Sequence, residues 1–411
     1  MHFLRLPLLF ALVGFAVFAP AQTVDGKPAV KAEVLGKVTE IVTNYAFVPK
    51  VDFKKWPDFL AAEKPKLEAA KTDDEFTSAV NGALSKFGLS HIVLQSPRNV
   101  TMRRTATSTG IGVSTYPHKD GLLIMRVVDG APADKVGLVA GDIIIGVNGK
   151  KPEGITGIPG EAGTSVAIKV RRATGEEVEY NIVRKPFSTR RPEVLETVSE
   201  DTKRLSVYTF DLQYDAKRVD ELMSKAMDSK NLILDLRDNG GGAVVNLQHL
   251  LGYFLPADEP IGTFIGKQTI NKYVAETGLD GTDLVAIAKW QKRKLMPLAP
   301  ENGKVFKGNV IVLVNGGSGS ASEMCAAALR ERLGAKVVGR PSAGAVLVSV
   351  IMPVGDGFSL QYPLSDYITI QGVRLEGNGV KPDVIVEDAP ARLPGQPDLT
   401  LLKAVELTKT G

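Results

Sequence analysis

Two segments of this chain, Leu232-Ile233-Leu234-Asp235-Leu236-Arg237 and Val310-Ile311-Val312-Leu313-Val314, are apolar at nearly every position. Strands of that kind are buried on both faces, which restricts the fold to an α/β sheet covered by helices on each side. Each runs into a glycine-rich turn: Asp238-Asn239-Gly240-Gly241-Gly242-Ala243 after the first, Asn315-Gly316-Gly317-Ser318-Gly319-Ser320 after the second. Small residues let the chain turn sharply at the carboxyl edge of the sheet, where α/β folds carry their sites. The residues after Ser320 read as a helix. Ser320 then stands at a helix amino terminus, where backbone N–H groups and the helix dipole favour developing negative charge. Capping of that helix by Ser318, Ser320 or Ser322 is the plainer reading of the same turn.

Upstream, Val34, Val38, Ile41 and Val42 recur at helical spacing within a stretch reaching Phe87, which predicts a helical cap. Gly88-Leu89-Ser90-His91-Ile92-Val93-Leu94 then reads as extended, placing His91 at a helix-to-strand junction. A polar stretch with a proline, Ser188 to Glu193, marks a linker. From Arg204 strand and helix patterns alternate, and the Pro-rich residues from Ala389 to Pro397 are expected to wrap the surface.

The first residues bear on compartment. Arg5, an apolar run from Leu6 to Phe18 and Ala19-Pro20-Ala21 have the order of a cleavable export signal, with cleavage expected before Gln22. The run is shorter than the roughly 20 residues that span a bilayer. Export to the periplasm or beyond follows, with no integral membrane segment expected after signal cleavage. A formal charge of +4 without any dense Lys/Arg cluster argues against a nucleic-acid partner. The single cysteine, Cys325, rules out an intramolecular disulfide and thiolate metal cages, and its apolar setting predicts a buried thiol.

Residues 108 to 186 resemble a PDZ domain. The matching residues are Thr109-Gly110-Ile111-Gly112-Val113, Gly121 to Val127, Ala131-Pro132-Ala133 and Gly137 to Gly149, the last containing Gly141-Asp142 and ending in Asn148-Gly149. The resemblance implies that the backbone of Gly110, Ile111, Gly112 and Val113 receives a peptide's terminal carboxylate while the following strand pairs with the peptide. A spacer module is the alternative.

Three further motifs resemble the carboxy-terminal-processing, or tail-specific, serine proteases: Leu234-Asp235-Leu236-Arg237-Asp238-Asn239-Gly240-Gly241-Gly242, Gly317-Ser318-Gly319-Ser320-Ala321-Ser322-Glu323, and Gly377-Asn378-Gly379-Val380-Lys381-Pro382-Asp383. The resemblance implies a ClpP/crotonase-like α/β protease core with an inserted mainly-β PDZ domain and an N-terminal helical cap. Together with the patterns above, it sets the expected bounds: a signal peptide at 1–21, the cap and first core strand at 22–107, the PDZ domain at 108–186, a linker at 187–203, the catalytic domain at 204–388 and a tail with helix at 389–411. Carried over by position, Ser320 is the nucleophile, and the N–H groups of Gly241 and Ala321 are oxyanion donors. No cofactor and no metal are implied, and the partners are protein or peptide substrates held by their carboxyl ends.

One departure redirects the chemistry. The better-known members carry a general-base lysine 25 residues after the nucleophile and a glutamine four residues later; here those places hold Ala345 and Ser349. A serine hydroxyl still needs a base. Of the four histidines, His2 leaves with the signal, His118 falls in the PDZ module, and His249 lies on a helix beyond the glycine-rich turn. His91, immediately after Ser90, resembles the Ser-His pair of the tricorn-protease branch, where a glutamate completes the set; Glu376 falls close to its place. The resemblance therefore implies His91 as base, with Ser90 and Glu376 holding the imidazole. A catalytically silent peptide- or ligand-binding relative, or a PDZ scaffold, is the alternative that the missing lysine suggests. No His-Glu-x-x-His, Cys-x-x-Cys, Gly-x-x-x-x-Gly-Lys-Ser/Thr or Gly-x-Ser-x-Gly at Ser320 supports a metalloenzyme, nucleotide-binding or ordinary α/β-hydrolase reading.

Overall fold

The computed structural model describes residues 28–152, 154, 157–387, 393 and 395–409. The export-signal expectation at 1–21, the cleavage before Gln22 and part of the expected surface-wrapping tail lie outside the described residues. At the centre is a six-stranded sheet ordered Val384–Ile385, Lys336–Gly339, Asn309–Val314, Asn231–Asp235, Thr202–Ser206, Val194–Ser199. All neighbours are parallel except the last pair. The near-continuous apolar runs form its two middle strands, and alternate residues serve opposite cores. Leu232, Leu234, Val310 and Val312 pack with helices Ala216–Ala226, Val244–Gly252 and Ala321–Leu333. Ile233, Ile311 and Leu313 meet Ala404, Leu401 and Val405 of the helix Leu399–Leu407 on the other face. Full burial of each such aliphatic side chain stabilises by about 1.5–3 kcal/mol. Cys325 lies wholly inside the first core, where burial pushes its thiol pKa up.

The Leu-Asp-Leu-Arg motif has a structural use here. Arg237 donates to Asp235 at 2.9 and 2.6 Å and, in a second fork, to Asp398 at 2.8 and 2.9 Å. Asp398 in turn caps the helix Leu399–Leu407 by accepting the Leu401 N–H at 2.9 Å. The pair thus fastens the chain's last helix over one face of the sheet. Asp398→Ala strands half of a shielded guanidinium and removes the cap, so a loss of about 3–5 kcal/mol is expected in urea unfolding. A loss below about 1 kcal/mol would mean that the clasp is no stronger than an exposed ion pair.

A second, antiparallel sheet joins Val93–Gln95, Phe358–Thr369, Gly262–Gly266 and Val348–Gly355. The helical cap covers it. Val34, Val38 and Val42 of Pro28–Asn44 and Phe76, Val80 and Leu84 of Asp73–Leu84 pack with Leu94, Phe358 and Leu360. The second of these helices starts in a capping box, Thr72 with Glu75. The extended reading of 88–94 shortens to the strand Val93–Gln95, because Gly88 and His91 both take left-handed conformations, φ 65° and 53°.

The module between the two parts is a five-stranded antiparallel sheet ordered Val113–His118, Gly121–Val127, Ile143–Val147, Ser165–Arg171, Glu177–Val183. Thr107–Gly110 and Lys185–Ser188 pair as its stem, so the chain enters and leaves side by side. Of the Gly110 to Val113 segment, Ile111 is buried in the module's core, while Val113 begins an edge strand. Gly112, at φ 82°, lies so close to Ala131 that a Cβ there would sit 2.3 Å from Ala131 Cβ. The Ile111 and Gly112 carbonyls accept from Ala133 and Val128 N–H at 2.8 Å, and among the described residues their own N–H groups meet no acceptor.

Candidate active site

The turn Asn315–Ser320 joins a central strand to the helix Ala321–Leu333, and its serines separate by what they touch. Ser318 Oγ donates to Leu236 C=O at 2.8 Å and Ser322 Oγ to Asn239 C=O at 2.7 Å, so both fasten this turn to the neighbouring one. Ser320 is only partly buried and sits at φ 54°, ψ −118°, a conformation that costs an L residue about 1–3 kcal/mol. Its N–H is shared between Ala345 C=O at 2.8 Å and the Glu323 carboxylate at 2.9 Å. Glu323 is fully buried and also accepts from Ser342 Oγ at 2.6 Å, Gly344 N–H at 2.8 Å and Ala345 N–H at 2.9 Å. Burial pushes its pKa up while these donors pull it down. Four donors on one carboxylate hold the strained turn and the loop 342–345 together. Sequence reasoning gave Glu323 no role, although its Ser-x-x-Glu spacing is a capping signal.

From Ser320 a hydrogen-bonded line runs inward. Ser320 Oγ lies 3.2 Å from His91 Nε2, and His91 Nδ1 lies 2.7 Å from Ser90 Oγ. Ser90 donates its hydroxyl to Glu376 Oε2 at 2.8 Å and its N–H to Oε1 at 3.0 Å. Val346 N–H adds a third donor to this buried carboxylate, at 2.7 Å. An ionised carboxylate only accepts, so the Ser90 proton points to Glu376 and Ser90 Oγ accepts from His91 Nδ1–H. That assigns the free lone pair of His91 to Nε2, facing Ser320. Burial lowers the imidazole pKa, and the Glu376 charge only partly opposes it. His91 is thereby neutral near pH 7.

The Glu376 backbone is held as well. Arg374 donates to the fully buried Asp366 at 2.6 Å and to the Glu376 C=O at 3.3 Å. Ala345 contributes only backbone to the site, Ser349 Oγ accepts from Gln361 at 2.8 Å, and Lys336 is exposed at the start of its strand. The other described histidines are engaged elsewhere: His118 Nδ1 accepts the Asp120 N–H at 3.2 Å, and His249 sits between Tyr214 at 2.8 Å and Asp220 at 2.9 Å.

The glycine-rich edge differs from the sequence expectation at one position. Gly241 lies against Ser320, since a Cβ there would be 2.6 Å from Ser320 Cβ and 2.9 Å from Ala321 N. Its N–H, however, is turned onto Asn239 Oδ1 at 2.9 Å and is not free to serve an oxyanion in this state. The Gly241 C=O accepts from Phe210 N–H at 2.8 Å. Across that trans peptide the Gly242 N–H points the opposite way, to the side where the strand order places the Ser320 turn. Among the described residues neither Gly242 N–H nor Ala321 N–H has an acceptor. No group of three or more His, Cys, Asp or Glu side chains among them gathers as a metal site.

Comparison with known proteins agrees with this architecture. Residues 204–386 match Peptidase family S41 and residues 99–158 match the PDZ domain. A carboxy-terminal-processing protease of Bartonella bacilliformis is 28% identical over 328 residues, 75% of this chain and 69% of that protein. Carboxy-terminal processing protease CtpB of Bacillus subtilis is 25% identical over 393 residues, 90% of this chain and 71% of that protein. In fold, the chain is similar to mature CPAF complexed with lactacystin, with TM-score 0.55, 14% identity, and coverage of 93% of this chain and 98% of that one. The tricorn protease gives TM-score 0.50 and 15% identity over 92% of this chain and 37% of that one. Over residues 204–386 the chain carries a peptidase family S41 domain, with a PDZ domain set ahead of it, and over most of its length it is similar to carboxy-terminal-processing proteases.

Proposed function

We propose that the chain cleaves exported, unfolded or tail-exposed polypeptides near their carboxyl termini through an acyl-enzyme on Ser320. The observation that carries this reading is the unbroken line from Ser320 through His91 and Ser90 to Glu376. In it, His91 Nε2 takes the hydroxyl proton as Ser320 Oγ attacks the scissile carbonyl. The imidazolium is stabilised by Ser90 Oγ and, through it, by Glu376. Ala321 N–H and Gly242 N–H receive the oxyanion. The imidazolium then protonates the leaving amine, and water, deprotonated by the same nitrogen, releases the acyl group. The open edge of Val113–His118 and the unengaged N–H groups of Ile111 and Gly112 support capture of a carboxyl-terminal strand. The amino-terminal signal pattern supports export to the periplasm, and no helix among the described residues is long and apolar enough to cross a membrane.

The test is a fluorophosphonate probe on the purified protein, beside hydrolysis of an unstructured peptide with a free or an amidated carboxyl end. Wild type is expected to label on Ser320 and to prefer the free acid, while Ser320→Ala and His91→Ala fail to label. Equal labelling of all three, or none of any, sinks the nucleophile and base. Equal cleavage of the two peptides removes the carboxyl-terminal preference but leaves the peptidase.

A further inference from the structure

We infer that Arg103 is a positioning residue for this reaction, which through Asp211 fixes the backbone that backs the oxyanion strand Gly241–Ala243. The inference rests on the peptidase reading of Ser320 and adds to it a connection that none of the motifs contains. Arg103 lies on the helix Pro97–Thr105, which follows the strand Val93–Gln95 beyond His91 and leads into the PDZ stem at Thr107. Its guanidinium forks onto Asp211, with Nε to Oδ2 at 2.6 Å and Nη2 to Oδ1 at 2.7 Å. Gln213 reaches back to the Arg103 C=O at 2.7 Å, so the loop is tied to the helix by backbone as well as by charge.

Asp211 follows Phe210, whose N–H and C=O are both used by the oxyanion strand, in bonds with Gly241 C=O and Ala243 N–H at 2.8 Å. The contact is closer still at Gly242. A Cβ on that residue would sit 2.1 Å from Asp211 N and from Phe210 C, so no slack exists between the two backbones. Asn246 Nδ2 also donates to the Phe210 C=O, at 2.8 Å. A displacement of the 210–211 peptide therefore passes directly into the Gly241–Gly242 peptide, whose orientation decides which N–H faces Ser320. A partly exposed ion pair adds little to global stability, but a two-pronged guanidinium–carboxylate contact fixes direction. Because the same helix stands between the strand that begins two residues after His91 and the PDZ stem, the pair links base, oxyanion strand and peptide module through one helix.

The test compares Arg103→Ala, Asp211→Asn and the reversed pair Arg103→Asp/Asp211→Arg in the full chain, by peptide hydrolysis and by hydrogen–deuterium exchange across 238–246. The single variants are expected to lower kcat about 10- to 100-fold with KM within about 2-fold, and to speed exchange in that segment at unchanged Tm. The reversed pair is expected to regain most of both. Unchanged exchange in both single variants overturns the inference, as does a reversed pair no better than the two losses combined. Should wild type hydrolyse nothing, the peptidase reading fails, and the exchange data still decide for or against the clamp.

Discussion

His91→Asn is expected to reduce kcat by about 10⁵- to 10⁶-fold, and His91→Asn/Ser320→Ala to be no worse than either substitution alone. Asparagine is the informative replacement because His91 holds φ 53°, a conformation asparagine accepts more readily than alanine. The fold is then preserved while the proton acceptor is lost. Non-additivity follows from the chemistry: without Nε2 the Ser320 hydroxyl is no better a nucleophile than water, so its removal changes nothing further. KM should move little, because the imidazole contributes to the transition state and not to ground-state binding. Steady-state hydrolysis of one peptide by the three variants checks this. A residual rate within about 100-fold of wild type would assign the base to another group.

Ser320 and His91 were legible because each lies where local pattern speaks. A glycine- and serine-rich turn between a buried strand and a helix is a short-range signal, and elimination among four histidines left one. Glu376 and Ser90 came only with the family resemblance, since nothing local distinguishes Glu376 from a surface glutamate beside a glycine. The residues that hold these groups were not legible at all. Glu323, the Arg374–Asp366 pair and the Arg103–Asp211 pair act through contacts formed only once the tertiary fold is complete. The setting of the Gly241 peptide has the same origin: its N–H meets the Asn239 side chain, and its C=O accepts from Phe210, some thirty residues earlier in the chain. The second sheet is a different case: in Phe358–Thr369 the apolar Phe358, Leu360, Tyr362 and Leu364 alternate with Ser359, Gln361, Pro363 and Ser365, a period-2 signal, whereas Val93–Gln95 and Gly262–Gly266 are too short to show one.

Glu376→Gln is expected to lower kcat by about 10³- to 10⁴-fold, although the substitution removes no atom. Three donors converge on the two carboxylate oxygens: Ser90 N–H on one, Ser90 Oγ–H and Val346 N–H on the other. An amide has a single oxygen, so one of its ends must point N–H groups at donors. With the oxygen on Ser90 Oγ–H and Val346 N–H, the relay keeps its proton order but loses the charge that stabilises the imidazolium; with the oxygen on the Ser90 N–H, the amide nitrogen faces Ser90 Oγ and donates to it. The Ser90 hydroxyl proton must then turn to His91 Nδ1, which forces the imidazole proton onto Nε2. That tautomer presents N–H, not a lone pair, to Ser320, and the base is lost without any change in position. Ser90→Ala imposes no wrong tautomer and should therefore cost less than Glu376→Gln. The pH dependence carries an independent signature. Burial already lowers the His91 pKa, so the wild-type acid limb of kcat/KM is expected below the usual imidazole range near 6.5. The Glu376 charge is what raises that pKa, so its neutralisation moves the limb to still lower pH while the plateau falls. A limb that moves upward, or a plateau within about 10-fold of wild type, would remove Glu376 from the relay.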